Sequence, residues 1–144
     1  MSDFLQEWFQ GFEKGIDGLK QEEKEKFFHN CGRKCADTGI IKVYEKLFID
    51  SGKVLDTFFS KLSELESVSG NIVKPGEHYE IAFLHCLCDL HTLGYVHSDY
   101  ICECSRQSII YVMKSLVPDM DMKVDKLTTI LGGDVECRFS IKIG

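Results

Sequence analysis

The chain has 144 residues, 44% of them hydrophobic, which suits one domain with a sizeable core spanning residues 1–144. Its formal net charge is −6, with thirteen acids against ten bases up to residue 70 and ten against seven beyond it. Each half is therefore acidic and no basic tail faces phosphate backbones, which argues against a nucleic-acid partner.

The opening, "MSDFLQEWFQGFEKG", is acidic and interrupted by charge. It reads as neither a signal peptide nor a membrane span, so no membrane insertion is expected. Residues 3 to 19 fit an amphipathic helix. Phe4, Leu5, Trp8, Phe9, Phe12, Ile16 and Leu19 recur mainly at spacings of three and four, and Gly11, Gly15 and Gly18 weaken it. A second helix is predicted over 21–37, acidic at its start, with Phe27, Phe28, Cys31 and Cys35 on one face and a stop at Gly39. Helical runs at 40–49 and 53–66 turn Ile41, Tyr44, Leu47, Phe48, Leu55, Phe58, Phe59, Leu62 and Leu65 inward.

The period then changes. "NIVKPGEHYEIAFLHC" reads as two strands around a Pro75-Gly76 turn, and "GYVHSDYICEC" as another extended run. A helix follows in "SRQSIIYVMKSLV", with Ser105 as its cap. "KVDKLTTILGGDVECRFSIKI" reads as two strands joined at "GGD". In the second, Cys137, Phe139, Ile141 and Ile143 alternate with Glu136, Arg138, Ser140 and Lys142. The fold class is α+β: an N-terminal helical lobe packed on a mostly antiparallel sheet, with one further helix and a C-terminal β-hairpin.

Two stretches of the second half, "YICECSRQSIIYVM" and "LTTILGGDVECRFSIKI", resemble the small-molecule-binding domain family named for 4-vinyl reductase. The resemblance implies an α/β ligand-binding fold, a small apolar or cofactor-like ligand and, as in some members, a Cys/His metal site. The positions it carries over are Cys102, Cys104 and Cys137.

The seven cysteines are an odd number and fit a reducing cytoplasm better than a disulfide scaffold. Cys86/Cys88 and Cys102/Cys104 form two C-x-C pairs, each able to present two sulfurs to one side of an extended chain. Thiolates in such a group favour zinc first and an iron–sulfur cluster second. Packed structural thiols and redox thiols are the competing readings. Cys31, Cys35, His85 and Cys137 are the alternative metal or thiol positions, with a core role favoured for Cys31, Cys35 and Cys137. Asp99 and Glu103 read as surface charge.

No Walker loop, G-x-S-x-G elbow or H-E-x-x-H motif is present. The leading reading is a noncatalytic sensor or carrier of a small molecule, with homodimerisation open. The alternatives are a small thiol- or metal-dependent enzyme and an interaction module whose cysteines are structural.

Overall fold

The first helix buries only part of its apolar face, leaving Phe4, Leu5 and Trp8 exposed. The computed structural model describes residues 3–84, 89–95, 97, 102–131 and 133–144. α1 (Asp3–Asp17) buries Ile16 and half-buries Phe9 and Phe12. Its glycines Gly11 and Gly15 face open space. Ring contacts offset their weak helix propensity: Trp8 stacks on Phe12 at 5.6 Å and Phe9 on Tyr95 at 5.4 Å.

α2 (Gln21–Cys35) starts where the Glu23 carboxylate accepts the Lys20 backbone N–H at 2.8 Å. It ends at Cys35 in a π-helical turn, Ala36–Ile40, that runs directly into α3 (Ile41–Asp50). Gly39 makes this bend with φ 146°, a conformation that side chains resist. The buried residues of α2 are Phe28 and Gly32. Phe27, Cys31 and Cys35 are exposed, so the expected Cys31/Cys35 core face is corrected. The helix is rotated by the close packing of Gly32 on a later helix.

α4 (Leu55–Lys61) and a 3₁₀ turn, Leu62–Glu64, bury Leu55, Phe58, Phe59 and Leu62 as the periodicity predicts. The remaining elements are β1 (Val68–Lys74), β2 (His78–Phe83), the short α5 (Asp89–Thr92), α6 (Cys102–Leu116), β3 (Met122–Thr128) and β4 (Cys137–Ile143). The strands form one antiparallel sheet in the order β1-β2-β4-β3. The expected α+β architecture is therefore present, including its closing β3–β4 hairpin.

The two central strands define the sheet faces. Tyr79 pairs with Ile141 and Ile81 with Phe139, and all four are buried toward the helices. The opposite face is polar. Arg138 bridges Glu80 and Glu136 at 2.7 Å each, and His78 Nε2 lies 2.7 Å from Ser140 Oγ. Alternation of this kind is expected of a sheet covered on one side.

Tyr79 joins the sheet to α4. Its ring stacks on Phe59 at 4.4 Å, its hydroxyl donates to Asp56, and it accepts the Gly76 backbone N–H at 2.8 Å. Burial, then the Asp56 hydrogen bond, pushes its pKa up to about 12. Burial does the same for Tyr44. Because both folded values lie above the ordinary 10.0, the stability they carry is complete below that value. It is lost as pH rises toward about 12, at up to ~3 kcal/mol per tyrosine. The thermal midpoint is expected to fall through this window, and less steeply in Tyr79→Phe. An equally steep fall in the variant would contradict the assignment to Tyr79.

The expected extended run over 94–104 is corrected at its end, while residues 96 and 98–101 of it lie outside the described residues. Cys102 and Cys104 lie in the first turn of α6, not in an extended run, and Ser105 sits inside that helix. Glu103 bonds Arg106 and Gln107 at helical spacings of three and four, which holds the turn in place ahead of Ser105.

Candidate apolar cavity and its thiols

Helix α6 packs on the sheet without filling all the space beneath it. Between α3, α4, α6 and the inner sheet face lies a partly enclosed cavity of about 700 Å³. Ile109, Val112 and Met113 line it from α6, Phe58 and Phe59 from α4, and Ile81 and Ile141 from the sheet. Its polar lining is sparse: Tyr44, Glu66, Ser105 and Ser108. Interiors are ordinarily packed to the density of organic crystals, with few voids larger than a water molecule. A space of this size lies within the roughly 300–1,000 Å³ typical of ligand pockets.

Cys35, Cys102, Cys104 and Cys137 also line the cavity. Gly32 helps set its α6 wall. A Cβ there would stand 2.7 Å from Gln107 Cβ and 2.8 Å from the Cys104 carbonyl oxygen, so only glycine allows α2 to lie this close to α6. Cys102 and Cys137 are both buried. The Cys137 sulfur accepts a hydrogen bond from the Cys102 thiol and another from the Ile130 backbone N–H at 3.3 Å. The Cys102 bond is the main cause that draws the Cys137 thiol below its ordinary value. Burial and the negative charges of Asp134 and Glu136 oppose it without reversing it. The pair releases its first proton readily because the remaining one is shared.

Tyr44 is buried at 6% exposure. Among the described residues it has ring contacts, and burial is the cause of its raised pKa, with no hydrogen bond contributing. Among the described residues its hydroxyl therefore has no hydrogen-bond partner, where buried groups of this kind usually have one.

The expected metal site is corrected. Among the described residues, no group of three or more His, Cys, Asp or Glu side chains could hold a metal ion. In α6, Cys102 and Cys104 are two residues apart on a helix of 3.6 residues per turn, so their side chains diverge instead of sharing one side. Zinc and iron–sulfur ligation by these residues is therefore not supported. Cys86, Cys88 and His85 lie outside the described residues. Cys31 is exposed on α2, away from the cavity lining. None of Cys31, Cys35, Cys102, Cys104 and Cys137 is in a disulfide. Cys137 occupies the buried sheet position that strand alternation predicts.

Glu103 is a second correction. It is buried, not surface charge: Arg106 bonds it at 2.8 Å, Gln107 at 2.8 Å and Gln21 at 3.1 Å. Arg106 also donates to the Val124 carbonyl at 2.7 Å and reaches Glu25 at 3.3 Å, tying α2, α6 and β3 together. The Glu103, Arg106 and Gln107 spacing was the available sequence signal for this cluster. Tyr44 and the open space between α6 and the sheet had no comparable signal.

No family model matches the chain. No curated protein matches it either. Among solved structures, it is similar to a trafficking protein particle complex subunit 3 from Naegleria fowleri, whose crystal structure is covalently bound to palmitic acid. That similarity has 12% identity and a TM-score of 0.46, over 99% of this chain and 95% of that one. At this identity and score, the likeness carries no argument about ligand or activity. The resemblance to the 4-vinyl reductase family is not upheld, since no family model matches the chain. No helix among the described residues is long and apolar enough to cross a membrane.

Proposed function

We propose that the protein is a noncatalytic carrier or sensor that takes a small apolar molecule into the cavity between α6 and the sheet. One observation carries this reading: an apolar space of about 700 Å³ is built into the core. Leaving that space unfilled forfeits dispersion contacts and apolar burial, a loss that an apolar occupant restores. Its sparse polar lining suits an elongated hydrocarbon with at most a small polar group.

A solvatochromic apolar dye tests the proposal by fluorescence titration. Wild-type protein is expected to bind it with a blue-shifted emission and to release it to long-chain alkyl competitors. Val112 is buried on the cavity wall. Val112→Phe is expected to fill part of the space and weaken dye binding at least about tenfold while the fold remains intact, since the added bulk can extend into the cavity that Val112 lines. Equal binding by the variant would place the dye elsewhere and contradict the cavity assignment.

A further inference from the structure

Binding alone leaves the thiol pair unexplained. Cys102 and Cys137 are buried, hydrogen-bonded to each other and on the wall of an apolar cavity. Among the described residues, no group able to hold a metal ion includes them. A polarised sulfur beside an apolar ligand has the chemistry of a soft nucleophile, and the thiolate is the reacting form. We infer that the cavity captures its ligand covalently, Cys137 adding to the β-carbon of an apolar α,β-unsaturated carbonyl compound. Covalent capture rests on the apolar-ligand reading above and deepens it.

The step balances without an oxidant or a leaving group. The Cys137 sulfur forms a C–S bond as the C=C π pair moves onto the carbonyl, giving an enolate. Cys102 S–H then delivers its proton to the α-carbon, forming the C–H bond. Cys102 regains a proton from solvent, replacing the one that Cys137 lost before the attack. The Tyr44 hydroxyl donates a hydrogen bond to the carbonyl oxygen, where negative charge develops. This use supplies the partner that the buried hydroxyl lacks among the described residues. Addition expels no group, so it makes fewer demands than acyl transfer on a wall whose polar side chains are few. The carboxylates of Asp134 and Glu136 disfavour the thiolate, and the Ile130 N–H supports it.

Dodecyl vinyl ketone at one equivalent, followed by intact-mass measurement and peptide mapping, tests the inference. One adduct per chain is expected, on Cys137. Cys137→Ser is expected to abolish it. Cys102→Ser and Tyr44→Phe are each expected to slow it about tenfold, as loss of one proton donor or one charge-stabilising bond would. Circular dichroism checks that each variant folds, and Cys137→Ala replaces the serine variant if that one does not. Dodecyl ethyl ketone, which cannot add a thiol, separates binding from capture. If it displaces the dye but the vinyl ketone labels Cys31, Cys35 or another cysteine in preference to Cys137, capture at Cys137 is overturned and the binding reading stands. If neither ketone displaces the dye, the binding reading fails and capture with it.

Discussion

Gly70→Ala is expected to destabilise the protein by about 3 kcal/mol, the upper end of ordinary overpacking. Gly70 lies in β1 where α4 crosses it. A Cβ there would fall 2.2 Å from the Phe59 carbonyl oxygen and 3.1 Å from Leu62 Cδ1. The nearest obstacle is backbone, not the free end of a side chain, so α4 must move as a body. That movement would also disturb the Phe59–Tyr79 stack and the Asp56–Tyr79–Gly76 hydrogen bonds. Urea denaturation monitored by far-ultraviolet circular dichroism would measure it. A midpoint within error of wild type would mean that the close approach of α4 to β1 is wrong.

Glu103→Ala is expected to cost about 3–4 kcal/mol, the range for breaking one side of a buried ion pair. The carboxylate accepts from Arg106, Gln107 and Gln21, and its loss leaves the largely buried Arg106 guanidinium without its shortest carboxylate contact. Glu25 lies farther off, at 3.3 Å, and is half exposed, so it compensates little. Glu103→Gln should cost less, since it keeps an acceptor for Gln21. The double variant Glu103→Leu with Arg106→Leu should recover part of the loss, because the uncompensated charge is removed as well. Additive losses from the two sites would show that they do not act as a pair. The effect on stability also reaches the cavity, since α6 carries both Glu103 and the Cys102, Val112 and Met113 wall.

The sequence made the helical lobe legible because Ile41, Tyr44, Phe48, Leu55, Phe58 and Phe59 repeat at helical spacing and all are buried. β4 was legible for the same kind of reason: Cys137, Phe139 and Ile141 alternate with polar neighbours and line the covered face. Periodicity reports which face is apolar, but not what that face meets. It could not show that α2 turns Gly32 inward and leaves Cys31 and Cys35 outside, because a tertiary contact with α6 fixes that rotation. It misplaced Cys102 and Cys104 in a strand because their helical turn depends on the Glu103–Arg106–Gln107 bonds. The error fed the metal reading: two sulfurs on one side of a strand became two diverging sulfurs on a helix. The cavity itself was illegible, since it is set by the separation of α6 from the sheet and not by any run of residues.

Native mass spectrometry of protein purified without added ligand tests the central claim most directly, because it asks whether the cavity of about 700 Å³ is occupied. The expected result is one apolar molecule per chain, retained or taken up on incubation with a long-chain ketone, and markedly depleted in Val112→Phe. A covalently held portion should persist under denaturing spray on Cys137 alone. Folded wild-type protein that retains nothing and takes up no apolar molecule would contradict the account.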